Sequence, residues 1–196
     1  MTNKDQKDVV LLAPPAKKVV EHYDEPPYPH IGLGYVGGYL NQKSGIDCFI
    51  IDGKLYRYTI DQTIDAIIAR KPRILGLSAK THEVKTAALI AERVKEHDPE
   101  ILTVLGSFHA SFMPERSLQE FSSIDCVIVG EGELSFTELV VNWLKGESIK
   151  EIKGLVFREN GDIINNGRSE IGYHLDDFGE PGWHLFDQEL LSKYCT

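Results

Sequence analysis

Apolar residues fall along this chain in two rhythms. Short, nearly unbroken runs rich in Val, Ile and Leu occur at Asp8–Ala13 (DVVLLA), Ile46–Ile51 (IDCFII), Arg73–Ser78 (RILGLS), Ile101–Leu105 (ILTVL) and Asp125–Val129 (DCVIV). Runs this short and this apolar suit strands covered on both faces, as in a parallel sheet. Between them the apolar positions recur at helical spacing. One stripe holds Leu33, Val36, Tyr39 and Leu40, and another Ile60, Ile64, Ile67 and Ile68. A third holds Val84, Ala87, Ala88, Ala91 and Val94, and a fourth Leu134, Leu139, Val140, Trp143 and Leu144. Each stripe predicts a helix that buries one face against a sheet. The alternation predicts an α/β domain: a doubly wound, Rossmann-like (flavodoxin-like) parallel sheet of five strands with flanking helices. Right-handed crossovers follow from that arrangement.

The rhythm changes after Gly146. Gly154–Glu159 (GLVFRE) and Asp162–Asn165 (DIIN) flank Asn160-Gly161, a two-residue turn signal for a β-hairpin. Arg168–Thr196 shows little periodicity and several turn formers, including Asp176, Asp177, Gly179, Pro181 and Gly182. The division expected is an α/β domain over 1–146, a hairpin extension over 147–167 and a linker over 168–196.

Composition narrows the class of function. The chain has 196 residues, 42% of them hydrophobic and 26% charged, as in an ordinary globular protein. Its 30 acidic and 21 basic residues give a net charge of −9, and no basic stripe is present, which argues against nucleic acid as a partner. No stretch is apolar enough for a membrane span, and the polar start MTNKDQKD lacks the pattern of a signal peptide. A cytoplasmic location is the expectation. Cys48, Cys126 and Cys195 stand far apart, so the chain carries no cysteine motif for a metal or iron–sulfur cluster.

Candidate chemistry gathers where the strands end. In an open parallel sheet, ligands bind beyond the C-terminal ends of the strands. Asp52-Gly53-Lys54 follows the second predicted strand, Ser78-Ala79-Lys80-Thr81 the third, Gly106-Ser107-Phe108-His109 the fourth and Gly130-Glu131-Gly132-Glu133 the fifth. Gly106 leaves room for a flat group against the backbone. Ser78 and Thr81 offer hydroxyls, although Thr81 is also placed to cap the helix that follows. Gly32, Gly34, Gly37 and Gly38 sit in a helical stretch, where each glycine costs about 1 kcal/mol relative to alanine. Either tight helix packing or a bulky ligand against the helix would account for them. The formal G-x-G-x-x-G at Gly32, Gly34 and Gly37 begins beyond a Pro-rich loop rather than directly after the strand, which argues against NAD.

The ordered set PPYPHIGLGYVGGYL, IDCFIIDG, ILGLSAKT, ILTVLGSFHAS, DCVIVGEGELSFTELV and GLVFRENGDIINN resembles the cobalamin-binding N-terminal half of radical S-adenosylmethionine enzymes. The subgroup it is most similar to contains the anaerobic magnesium-protoporphyrin monomethyl ester cyclases. The resemblance runs from about Asp8 to Phe186, and VLGSFHAS followed by VIVGEGE-x-x-F is its most specific part. It implies that Ser78, Gly106 and Ser107 surround the nucleotide tail of cobalamin. It further implies that Glu131, Gly132 and Glu133 form the family's GEGE turn. Gly34, Gly38, Thr81, Phe108 and His109, by their places after the strands or on the glycine-rich helix, are further candidates to border the cofactor. Relatives that ligate cobalt through a protein side chain carry Asp-x-His-x-x-Gly after the first strand. Here His30 falls in the corresponding loop, in Tyr28-Pro29-His30-Ile31-Gly32-Leu33, without the Asp or the final Gly. His30 is therefore a candidate for contact with the corrin or for a cobalt ligand.

The resemblance also implies a covalently following radical S-adenosylmethionine domain. S-adenosylmethionine and a [4Fe-4S] cluster are expected there and not in this segment, which alone is expected to be inactive. Pro181-Gly182-Trp183-His184-Leu185-Phe186-Asp187 is similar to the linker that leads into that domain. The competing function is a non-catalytic flavodoxin-like binding or sensory module for a nucleotide, FMN or a partner protein.

Overall fold

The apolar runs become strands within a residue or two of where the pattern places them. The computed structural model describes residues 7–16, 29–169 and 175–194; positions 17–28 of the Pro14–Pro29 loop, Tyr28 among them, and Cys195 lie outside the described residues. The first half runs β1 (Val9–Ala13), α1 (Ile31–Ser44), β2 (Cys48–Asp52), α2 (Ile60–Ile68), β3 (Ile74–Ser78), α3 (Val84–His97) and β4 (Leu102–Gly106). There follow α4 (Phe108–Phe112), α5 (Pro114–Glu120), β5 (Cys126–Ile128), α6 (Gly132–Lys145), β6 (Leu155–Glu159), β7 (Asp162–Asn165) and α7 (Gln188–Tyr194). One seven-stranded sheet has the order β2-β1-β3-β4-β5-β6-β7. Its first five strands are parallel, and β6 and β7 add to the edge in antiparallel fashion.

Two cores cover the two faces. Val9, Leu11 and Ala13 face the same core as Leu33 and Leu40 of α1 and Phe136, Leu139 and Val140 of α6. Val10 and Leu12 face the other, with Ile64 and Ile67 of α2 and Ala87, Ala91 and Val94 of α3. This period-two division explains why the strands are apolar at every position. Helix ends are secured locally. Thr59 and Gln62 form a capping box on α2, worth about 1 kcal/mol. Gly45 and Gly146 end α1 and α6 in the left-handed conformation.

Three features differ from the pattern-based expectation. The β4–β5 connection holds α4 and α5, of five and seven residues, too short to display a helical period. The hairpin is no separate appendage: Cys126 pairs with Phe157, so β6 continues the main sheet. Its turn has positive φ at both Asn160 (51°) and Gly161 (92°), as the Asn-Gly signal requires. The described part of the C-terminal stretch is docked. Phe186 is 2% exposed and bridges Ile50 of β2, the Gly182 N–H donates to Gly34 O (2.8 Å), and the Asp187 N–H donates to the Tyr56 hydroxyl (3.2 Å). No described helix is long and apolar enough to cross a membrane.

The glycines of α1 make that docking possible. A Cβ on Gly38 would lie 2.8 Å from Gly182 N and 2.9 Å from Glu180 O; one on Gly37 would lie 2.9 Å from the Leu185 side chain. Gly38→Ala gains about 1 kcal/mol of helix propensity. It also meets backbone that cannot yield, and displacing Leu185 and Phe186 forfeits about 1.5–3 kcal/mol for each. The variant is expected to lose stability and to expose the Gly182 and Phe186 amides to hydrogen exchange, with β1 and β3 still protected. Unchanged exchange at Gly182 would contradict this account.

Candidate functional site

The strand order reverses between β1 and β3, and their connections leave toward opposite faces, which opens a crevice beyond the strand ends. A cavity of about 380 Å³ occupies it, within the range of small-molecule sites. Its floor is apolar, made by Leu11, Leu77, Val104, Ile128 and Phe136. Its polar groups come from the end of β3 (Ser78), from α4 and α6 (Ser111 and Glu133) and from the loops (His30, Ser107, Glu131 and Arg168).

A buried polar cluster holds one side of the crevice. Asp52, 1% exposed at the end of β2, accepts from the backbone N–H of His30 (2.9 Å, Oδ2) and of Leu55 (3.1 Å, Oδ1). Burial raises the Asp52 carboxyl above its ordinary range, and these hydrogen bonds oppose the rise. His30 caps α1: its Nδ1 accepts from the Leu33 N–H (3.2 Å), and its Nε2 lies 3.2 Å from Ser78 Oγ. Burial lowers the His30 pKa, with the Asp52 charge pulling the other way. Behind them Lys54 pairs with Glu83, whose Oε2 accepts from the Lys80 N–H (2.8 Å). Burial alone would raise the Glu83 carboxyl, but the Lys54 ammonium and the Lys80 N–H carry it below its ordinary value.

The other side is the turn at Gly106-Ser107. A Cβ added to Gly106 would meet only Leu77 O, at 3.9 Å, so this backbone borders open space. Ser107 has φ 83° and ψ −170°, a region almost reserved for glycine and costing about 1–3 kcal/mol. Ser111 holds the strained turn in place. Its hydroxyl donates to Ser107 O (3.1 Å) and accepts from the Gly130 N–H (3.0 Å), fastening the loop after β4 to the loop after β5.

Of the residues singled out in the sequence, His30, Ser78, Gly106, Ser107, Phe108, Glu131, Gly132 and Glu133 line this one cavity. Gly34 and Gly38 lie instead against Pro181 and Gly182, so their missing side chains make room for the chain's own C-terminal segment. Thr81 and His109 sit outside the lining and face each other, Oγ1 to Nδ1 at 3.4 Å. Nor does Thr81 cap α3, whose N-cap is Glu83. Sequence reasoning missed Ser111, Phe112, Phe136 and Arg168 as cavity residues. Ser111 and Phe136 lay inside the quoted motifs, but Arg168 follows the hairpin, and nothing local indicates that it reaches the crevice.

Cys48 and Cys126 are buried, and burial pushes both thiols up to about 12. Their strands are separated by β1, β3 and β4. Four interstrand steps of about 4.8 Å put them roughly 19 Å apart, too far to share a cluster. Among the described residues no group of His, Cys, Asp and Glu side chains could hold a metal ion.

Comparison with known proteins gives a consistent result. A family model described as a B12 binding domain matches residues 18–140. An uncharacterized methyltransferase of Pyrococcus horikoshii is 30% identical over 181 residues, covering 92% of this chain and 39% of that protein. The anaerobic magnesium-protoporphyrin IX monomethyl ester cyclase of Rubrivivax gelatinosus is 34% identical over 166 residues, 83% of this chain and 30% of the cyclase. The chain thus spans well under half the length of these relatives. Among solved structures, the cobalamin-dependent S-adenosylmethionine radical enzyme OxsB, with aqua-cobalamin and S-adenosylmethionine bound, superposes with a TM-score of 0.77 at 23% identity, over 97% of this chain and 26% of OxsB. The radical S-adenosylmethionine methyltransferase TsrM from Kitasatospora setae, with cobalamin and a [4Fe-4S] cluster bound, gives 0.68 at 19% identity, over 87% of this chain and 30% of TsrM. At these identities the likeness is one of fold.

Burial raises the Glu133 carboxyl, and the neighbouring Glu131 charge adds to the shift. A carboxyl raised in the folded state contributes no penalty below its unfolded pKa, and destabilises increasingly as pH rises through the folded value. Glu133→Gln is therefore expected to be more stable than wild type at pH 7 and equally stable below about pH 4.5. Chemical denaturation at both pH values checks this; an advantage that persists at low pH would show that the charge is not the cause.

Proposed function

The chain belongs to the B12 binding domain family, and on that footing we propose that the crevice beyond β3, β4 and β5 receives the nucleotide tail of cobalamin while the corrin lies across its mouth. Membership of this family selects cobalamin over FMN or another nucleotide. The observation that carries the proposal is the open backbone at Gly106: a flat group can slide past it, between apolar walls, with polar groups at the edges. A corrin with its amide arms is far larger than the cavity, so only a narrower part of the molecule enters. Phe108 and Phe112, 68% and 79% exposed, project at the rim and offer apolar surface to the macrocycle or to a covering domain.

The residues divide the work by position. Ser78 and Ser107 offer hydroxyls along the slot, and Glu131 and Glu133 offer acceptors suited to amide N–H groups. The Asp52–His30 and Lys54–Glu83 contacts keep the slot open before the ligand arrives, which lowers the ordering cost of binding. When bound, the cobalt of cobalamin supplies the methyl-transfer or electron-transfer chemistry, and the protein supplies orientation and access.

We assign S-adenosylmethionine and the iron–sulfur cluster to a radical domain that follows in the same protein. The lengths of the relatives support this, as does the wide separation of Cys48 and Cys126. The reading places the protein in the cytoplasm, a reducing compartment where such thiols persist.

Gly106→Val tests the site. Its side chain would enter open space, so folding should be unaffected. The slot should narrow, and affinity for hydroxocobalamin, measured by absorbance titration, should fall about tenfold or more. Equal affinity in wild type and a well-folded Gly106→Val would remove this crevice as the site.

A further inference from the structure

Both ring nitrogens of His30 are engaged inside the protein. Nδ1 receives the Leu33 N–H at 3.2 Å, and Nε2 stands 3.2 Å from Ser78 Oγ. A backbone N–H can only donate, so Nδ1 presents its lone pair and the ring proton sits on Nε2. That proton points at Ser78, whose oxygen accepts it. The hydroxyl proton of Ser78 then has no acceptor of its own among the described residues, and both residues line the cavity.

Resting on the cobalamin reading above, we propose that His30 is a positioning residue: it turns the Ser78 hydroxyl into a hydrogen-bond donor for an acceptor atom of the cobalamin nucleotide tail, and it does not ligate cobalt. Ligation through Nε2 would move the ring proton to Nδ1. There it would face the Leu33 N–H, donor against donor, and α1 would lose its side-chain cap, leaving that N–H only the His30 carbonyl (3.1 Å). A metal-bound histidine normally donates its other ring N–H to a carboxylate or carbonyl. Here the nearby carboxylate, Asp52, is bonded to the His30 backbone N–H and to Leu55. Asp52 fixes where the ring sits, and the helix end fixes which nitrogen carries the proton.

Two measurements on the protein test this. In the first, protein labelled with ¹⁵N-histidine is loaded with cob(II)alamin and its electron paramagnetic resonance spectrum is compared with that of unlabelled protein. Identical spectra are expected. Replacement of nitrogen triplets by doublets on labelling, with the doublets lost in His30→Asn, would make His30 a ligand and overturn the proposal. The second compares His30→Asn, Ser78→Ala and the double variant in titrations with cobalamin and with cobinamide, which lacks the nucleotide tail. Asn can still cap α1 through its side-chain oxygen, so folding is retained, but it is too short to reach Ser78 as well. Each single variant should weaken cobalamin binding about 3- to 10-fold, the double variant no further, and cobinamide should bind equally to all. Additive losses, or equal losses with cobinamide, would overturn it. A wild-type protein that binds cobinamide or cobalamin not at all would instead defeat the cofactor reading beneath it.

Discussion

Val9, Leu11 and Ala13 project into one core and Val10 and Leu12 into the other, and neither set can face water. A strand buried on both faces needs helices above and below, and each helix must return the chain to the same edge before the next strand begins. The five parallel strands therefore all end on one side of the sheet. Segments far apart in sequence, those carrying His30, Ser78, Ser107 and Glu133, are brought around one cavity by that requirement. The apolar floor is made by buried strand residues, Leu11, Leu77, Val104 and Ile128, together with Phe136 of α6. The chemistry of the site is added by the residues that follow.

Those loops are not left to find their geometry when a ligand arrives. Asp52 ties the end of β2 to the start of α1, Lys54 and Glu83 tie β2 to α3, and Ser111 ties the β4 loop to the β5 loop. The hydrogen bonds these groups make oppose the effect of burial, in part at Asp52, whose carboxyl stays raised, and more than fully at Glu83, whose carboxyl is lowered. The strained backbone of Ser107 persists because its neighbours over-determine it.

The sheet was legible because its signal is physical and local: strands buried twice are apolar twice, and the helices between them keep one apolar stripe. The hairpin was legible from Asn160-Gly161 for the same kind of reason, since that turn demands two positive φ angles. The short helices α4 and α5 were not, because five and seven residues give no measurable period. The glycines of α1 show the limit most clearly. Their rarity inside helices announces a close approach, but sequence alone does not say of what; the structure answers with Glu180–Gly182 of the same chain. Arg168 entered the site and Thr81 left its lining through tertiary placement that no spacing encodes.

The central claim is that cobalamin occupies the C-terminal ends of the parallel strands. Hydrogen–deuterium exchange with and without hydroxocobalamin tests it without altering the protein. The account predicts added protection at Leu77–Ala79, Gly106–Ser111 and Gly130–Glu133. It predicts none at the opposite strand ends, around Lys71–Arg73 and Asp98–Ile101, where a second and more polar depression lies. Protection confined to that opposite edge, with the Gly106 loop unchanged, would contradict it.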